Sequence, residues 1–434
     1  MKYFGTDGIR GLAYEFINYD LSYLVGRSMG ILEKKRVIVC RDTRESGHMI
    51  INALKAGIID AGLEVLDLDI HATPVLAYMS IIHDCYGIMV TASHNPYHDN
   101  GIKIFNRGKK TIEQEEQVIE DVIDRLVTLD EIPGGSEVEF FNPLTSYMSL
   151  YENVITRFNG EIVLDLANGA TIKSAKHVFN KISSDVDFIG DNPNGKNINE
   201  GVGSTHLDNL VEYVVNNKKD IGFAFDGDGD RVLTVTSTGK VVDGDLMIYI
   251  FARYLKEKNL LDNDLVVLTK MSNLGIIEAL ESHGIRAILT DIGDKYVIKA
   301  MEEYGAILGG ENSGHVINKH LFISGDGVLN ASFMIKVINE MGLSLDQFVE
   351  EVTFYPDRLL NLRGVDKSLV KHHEIIALVN DIEKELDGKG KVLVRPSGTE
   401  PLVRISASAK TIEQVDDIID RISHKFEELS KERK

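Results

Sequence analysis

The chain is poor in the features that would take it out of the ordinary soluble class. It has two cysteines, Cys40 and Cys85, in 434 residues. That excludes a disulfide framework and fits a reducing compartment. Its longest apolar runs fall short of the roughly 20 residues that cross a bilayer, and Met1-Lys2-Tyr3-Phe4-Gly5 lacks the apolar core of a signal peptide. Positive charge is also scarce: Lys+Arg 47 against Asp+Glu 67 gives a formal net charge of −20. That balance argues against nucleic acid or an anionic membrane as the main partner. It also requires any anionic substrate to find a local basic pocket. A soluble, cytoplasmic protein is expected, with no nucleic-acid or membrane partner.

The length suggests three or four domains at about 150 residues each, and the pattern along the chain supports that number. Apolar strands alternate with helical stretches, as in βαβ units. Strands are expected at Arg36–Cys40, Leu63–Leu68 and Gly87–Val90, with helices near Leu21–Glu33, Gly47–Ala61 and Ile112–Leu129. Pro133-Gly134-Gly135-Ser136 reads as a linker. A second cycle begins at Ile162–Asp165 and includes the strand Ile221–Phe225. A third contains the helix Asp245–Lys258 and strands at Leu265–Leu268, Ala287–Leu289 and Ala306–Leu308. The tail differs, with a helix over Lys367–Leu386, strands at Val392–Val394 and Leu402–Ile405, and a last helix from Ile412. The expected fold is α/β: three similar mixed α/β domains (1–133, 134–242, 243–361) plus a smaller C-terminal α+β domain (362–434), around a central cleft.

Four stretches carry chemistry. Thr91-Ala92-Ser93-His94-Asn95-Pro96 follows the Gly87–Val90 strand. This puts Ser93 at a strand end, where a hydroxyl can act as nucleophile or carry a phosphoryl group. Asp226, Asp228 and Asp230 alternate with glycines after the apolar Phe223-Ala224-Phe225. Three carboxylates at that spacing can converge on one hard cation such as Mg²⁺. A calcium-binding EF-hand is excluded, because its twelfth loop position would be Ser237 rather than an acid. Arg395-Pro396-Ser397-Gly398-Thr399-Glu400-Pro401, with Arg404 beyond it, has the composition of a phosphate cradle. Glu311, Ser313 and His315 alternate, so an extended segment would project all three from one face toward sugar hydroxyls. Arg10, Lys103 and Arg231 would complete a basic pocket near Ser93. A serine, a hard-metal site and a phosphate cradle together point to phosphoryl transfer through a phosphoserine.

With Phe4–Gly11 and Asp99–Lys103 added, these motifs stand in the order of the α-D-phosphohexomutase superfamily, which the chain resembles along its whole length. It is most similar to the phosphoglucosamine mutases. The resemblance implies that Ser93 is the phosphoserine and binds Mg²⁺ with Asp226, Asp228 and Asp230. Arg10, Lys103 and Arg231 would surround the phosphoserine, and Glu311 and Ser313 would hold the sugar. Arg395, Ser397, Gly398, Thr399 and Arg404 would grip the phosphate that is not reacting. His94, Lys103 and His315 are candidates for the general acid or base. The implied cycle converts glucosamine 6-phosphate to glucosamine 1-phosphate through a 1,6-bisphosphate, for UDP-N-acetylglucosamine and cell-wall synthesis. It further implies a homodimer, and in some bacteria a diadenylate cyclase partner. Three departures bear on sugar choice rather than reaction class. Asn312 stands where phosphoglucosamine mutases carry Gln and phosphomannomutase/phosphoglucomutases carry Met, Lys295 replaces the usual Arg, and Val202 replaces a common Cys. A phosphomannomutase/phosphoglucomutase, a catalytically silent sugar-phosphate-binding relative, and a phosphatase that hydrolyses phospho-Ser93 are the alternatives.

Overall fold

The computed structural model describes residues 2–5, 7–32, 34–126, 138–397 and 402–432. The expected linker at 133–136 lies outside them. The described chain forms two compact units. One comprises residues 1–271 and 283–350, and the other comprises 272–282 and 351–434.

The first unit holds three mixed sheets. In the N-terminal one, Arg36–Arg41 runs parallel to Glu64–Ile70 and to Tyr86–Val90. Tyr86–Val90 then pairs antiparallel with Asp99–Asn106, with Met89 opposite Lys103 and Val90 opposite Ile102. Strand alternation points Lys103 away from the face that carries Ile102 and Ile104. In the second sheet Ile162–Asp165 lies between Val186–Ile189 and Ile221–Phe225, parallel to both, and Ile221–Phe225 turns back antiparallel into Val232–Thr236. In the third, Leu265–Thr269 is parallel to Arg286–Thr290 and to Leu308–Gly310. The central strands are buried on both faces, which is why they read as continuous apolar runs.

The second unit packs helices against a three-stranded antiparallel sheet in which Leu402–Ala409 lies between Asp357–Arg363 and Gly390–Pro396. Val403, Ile405 and Ala407 meet Ile418, Ile422 and Phe426 of the final helix in its core.

Most expected elements are present to within a few residues, with three differences. The helix expected over Lys367–Leu386 is a 3₁₀ turn at Lys367–Lys371 followed by an α-helix at His373–Leu386. His372, between them, is extended. The strand placed at Ala306–Leu308 is Leu308–Gly310. Glu311, Ser313 and His315 do not lie along an extended segment. Glu311 N–H donates to His315 O and Gly314 N–H to Glu311 O, both at 3.1 Å, closing a turn between Leu308–Gly310 and Val316–Asn318. Backbone hydrogen bonds across the hairpin override the alternation read from the sequence.

Helices Tyr19–Ser28 and Gly47–Asp60 cross at backbone distance, and two glycines make that possible. A Cβ on Gly57 would lie 2.1 Å from Tyr23 O and 2.7 Å from Arg27 N, and one on Gly26 would lie 2.2 Å from Leu54 O. In an open helix Gly→Ala gains about 1 kcal/mol. Here the sign reverses, because the neighbouring atoms are backbone and cannot step aside. Gly57→Ala is expected to cost about 1–3 kcal/mol, seen as a Tm several degrees lower in thermal unfolding. An unchanged or raised Tm would show that the crossing relaxes freely.

Candidate active site

Ser93 follows the Tyr86–Val90 strand with φ 52°, a left-handed backbone that costs a non-glycine residue about 1–2 kcal/mol. Its peptide group is held on both sides. Ser93 N–H donates to Thr91 Oγ1 at 2.9 Å, and Ser93 O accepts from Arg44 Nη2 and from Asn199 Nδ2, each at 2.9 Å. The hydroxyl is thereby presented to the second sheet, where Ser93 Oγ donates to Asp226 Oδ2 at 2.5 Å.

Asp226, Asp228 and Asp230 occupy the turn between Ile221–Phe225 and Val232–Thr236. Their ligand atoms lie within 4.8 Å of one another, and all three residues are buried. Gly227 is needed between them because a Cβ there would sit 2.6 Å from Ser93 O and 2.9 Å from Asn199 Nδ2. The serine loop and the acidic loop touch through backbone.

The surroundings of Asp226 and Asp228 push the two carboxyls in opposite directions. Burial, reinforced by the charges of Asp228 and Asp230, drives the Asp226 carboxyl well above its usual range. Burial acts the same way on Asp228, but the Lys103 ammonium and the Thr73 hydroxyl hold it below. Thr73 Oγ1 donates to Asp228 Oδ2 at 2.6 Å and Lys103 Nζ to the same oxygen at 2.9 Å. Lys103 also reaches Asp230 Oδ2 at 3.5 Å and Asp7 Oδ2 at 3.3 Å. Buried Asp228 Oδ1 and Asp230 Oδ1 have no hydrogen-bond partner. Two orphaned carboxylate oxygens beside a third acid and a hydroxyl form a donor set that fits a hard divalent cation.

Around this centre stand the basic groups expected from the sequence. Arg10 Nη2 pairs with Asp7 Oδ2 at 2.6 Å, and Arg231 Nε lies 3.8 Å from Asp230 Oδ1. His94 Nδ1 is 3.3 Å from Ser93 Oγ. Burial, and then the charges of Arg231 and Arg10, lower its pKa to about 4. The imidazole is therefore neutral near pH 7.

The Gly310–His315 turn adjoins the same loop. Val232 N–H donates to Gly314 O at 3.2 Å, and Glu311 Oε1 accepts from Gly293 N–H at 2.9 Å. His315 is buried, and Ser313 sits between it and Glu311 in the turn. In the second unit Arg395 and Arg404 are directly opposed across two antiparallel strands. Burial and then Arg404 lower the pKa of Arg395. Like charges in register repel, so the pair suits an anion. Ser397 is buried beside them, its carbonyl accepting from Lys367 Nζ at 2.7 Å. Gly398 and Thr399 lie outside the described residues.

Several site residues escaped the sequence reading. Thr73, Asn199 and Arg44 each touch the serine or the acidic loop, yet each stands in a stretch that resembles an ordinary strand end or polar loop. Lys110 bridges Asp7 and Asp294, and nothing in its local sequence marks it. Gly227→Ala is expected to force the two loops apart and weaken divalent-cation binding by about 10–100-fold, the usual cost of disturbing groups that orient metal ligands. Calorimetric titration with Mg²⁺ or Mn²⁺ would show it, and unchanged affinity would mean that the loops need not touch.

The chain matches four family models in order. Each is described as phosphoglucomutase/phosphomannomutase: alpha/beta/alpha domain I over residues 1–129, domain II over 139–239, domain III over 243–355, and the C-terminal domain over 359–425. It is 42% identical over 436 residues to the phosphoglucosamine mutase of Bacillus pumilus, covering 97% of both chains. The corresponding protein of Listeria monocytogenes is 41% identical over 437 residues, again with 97% of each covered. Among solved structures, a phosphoglucomutase/phosphomannomutase family protein from Burkholderia thailandensis has the same fold, with TM-score 0.81 at 22% identity over 97% of this chain and 96% of that one. A putative phosphomannomutase from Thermus thermophilus gives TM-score 0.77 at 22% identity over 96% and 97%. The chain belongs to the phosphoglucosamine mutase family of the α-D-phosphohexomutase superfamily.

Proposed function

We propose that the protein is an isomerase that interconverts glucosamine 6-phosphate and glucosamine 1-phosphate through phospho-Ser93 and glucosamine 1,6-bisphosphate. The observation that carries this reading is Ser93 Oγ, 2.5 Å from Asp226 Oδ2 of a buried three-carboxylate cluster that a buried lysine also contacts. The family relationship supplies the sugar.

Asp226, Asp228 and Asp230, with the phosphoryl group on Ser93, would hold Mg²⁺, which supplies neutralising charge to the transferring group. Lys103, Arg10 and Arg231 add fixed positive charge around Ser93. In the first transfer the phosphorus–oxygen bond to Ser93 breaks as one forms to the sugar hydroxyl. The neutral His94 imidazole, 3.3 Å from Ser93 Oγ, can take up the hydroxyl proton and return it to the departing Ser93 oxygen, which leaves as the free hydroxyl. The second transfer reverses these roles after the bisphosphate reorients. Glu311, Ser313 and His315 would orient the sugar through its hydroxyls. Arg395, Ser397, Gly398, Thr399 and Arg404 would bind the non-reacting phosphate, which must be accepted from either end of the sugar. The working domains of this reading would be residues 1–133, 134–242, 243–361 and 362–434. A cytoplasmic location accords with two free, buried cysteines, and among the described residues no helix is long and apolar enough to cross a membrane. The homodimer and a diadenylate cyclase partner rest on the family resemblance alone.

Turnover of glucosamine, glucose and mannose 6-phosphates, each with Mg²⁺ and a trace of its bisphosphate, tests the reading. The glucosamine ester is expected to lead in kcat/KM by about tenfold or more. Preference for glucose or mannose would keep the mechanism and reassign the substrate. Release of inorganic phosphate without isomerisation would instead indicate a phosphatase. Ser93→Ala is expected to lower kcat by at least about 10³-fold with the fold intact, and wild-type activity in that variant would exclude the phosphoserine route.

A further inference from the structure

Arg44 is a fully buried cation that the phosphoryl-transfer reading leaves without a role. Its side chain has 0% exposure, as does that of Asp42, to which Arg44 Nε donates at 2.9 Å. The remaining donors go to carbonyls of the Ser93 loop. Nη2 donates to Ser93 O at 2.9 Å and Asn95 O at 2.8 Å, while Nη1 donates to Asp99 O at 3.1 Å and to Pro96 O. One guanidinium therefore ties down four carbonyls between residues 93 and 99. Only arginine carries enough donors in a rigid planar fork to do this.

The network closes on itself. Asp42 Oδ2 accepts from Thr91 Oγ1 at 2.7 Å, and Thr91 Oγ1 accepts from Ser93 N–H. Asp42 N–H in turn donates to Val90 O at 3.0 Å, fixing the acid to the strand that leads into the loop. From Asp42 the ring runs through Arg44 to Ser93 O, across the Ser93 residue to its N–H, through Thr91 and back to Asp42. Ser93 is the only residue between Thr91 and Asn95 with a left-handed backbone. Both of its peptide neighbours are thus gripped by groups joined through one carboxylate.

We infer that Arg44 is a positioning residue. With Asp42 and Thr91 it closes a ring of hydrogen bonds that holds Ser93 in its left-handed conformation and aims Oγ at the acidic cluster. Arg44 touches neither substrate nor the reacting atoms, so its effect is on the geometry of attack rather than on substrate affinity. The inference rests on Ser93 as the phosphoryl carrier, but the ring itself has an independent readout in the backbone of the loop.

Arg44→Lys keeps the charge and removes the fork. Expected is a folded variant whose kcat, per folded molecule, falls by about 10²-fold with KM within about threefold. Amide hydrogen exchange should accelerate in residues 93–99 and stay unchanged in 221–225. A merely structural role would lower Tm and leave kcat per folded molecule near wild type, and that result would overturn the inference. So would unchanged exchange in the loop. If Arg44→Lys does not fold, Thr91→Val breaks the same ring at its smallest link and must show the same kcat loss and local exchange. Should the wild type lack mutase activity, the functional reading fails, while exchange in residues 93–99 still decides whether the ring holds the loop.

Discussion

Three buried carboxylates whose oxygens lie within 4.8 Å of one another are the constraint to which the rest of the site answers. In a low-dielectric setting such a cluster repels itself unless positive charge is supplied. The protein supplies part of it permanently, through the buried Lys103 ammonium against Asp228 and Asp230. Arg231, whose Nε lies 3.8 Å from Asp230 Oδ1, adds to it. Burial and the two neighbouring charges push the Asp226 carboxyl well above its usual range, and buried Asp228 Oδ1 and Asp230 Oδ1 have no hydrogen-bond partner. An acidic cluster with unpartnered buried oxygens is a poor stability element and a good receptor for a cation.

Meeting that demand requires two sheets to work at one point. The Ser93 loop grows from the end of the Tyr86–Val90 strand and the acidic turn from the end of Ile221–Phe225. Gly227 lets them meet backbone to backbone, and Asn199 donates to Ser93 O from the side. Thr73 extends the contact, its N–H donating to Asp228 O and its hydroxyl to the carboxylate. Ser93 and the three aspartates thus share a rigid framework of strand ends, which fixes charge and geometry before any ligand arrives.

The sequence was most legible where local chemistry has a single plausible use. Alternating Asp and Gly after an apolar strand marked the acidic cluster, and an apolar strand running into Ser-His-Asn-Pro marked Ser93 as the candidate nucleophile. It was least legible where a role depends on a partner distant in sequence. Arg44 looks like the polar end of a strand until four carbonyls from residues 93 to 99 fold around it. Lys110 looks like a surface lysine in a basic hairpin until Asp7 and Asp294 reach it. The alternation of Glu311, Ser313 and His315 misled because a hairpin turn, closed by its own backbone hydrogen bonds, abolishes the two-residue period.

What the sequence determined by itself was the inventory: strand–helix alternation, the order of the motifs, and the residue types able to carry a phosphoryl group, a divalent cation and a phosphate. Each follows from local pattern, because periodicity and side-chain chemistry are properties of short stretches. Tertiary structure alone decided which charges are buried, which carbonyls Arg44 collects, and that Ser93 Oγ faces Asp226 rather than solvent. Those outcomes depend on contacts between residues far apart in sequence, 49 positions for Arg44 and Ser93 and 133 for Ser93 and Asp226. Local sequence carries no record of such contacts until the chain has closed on itself.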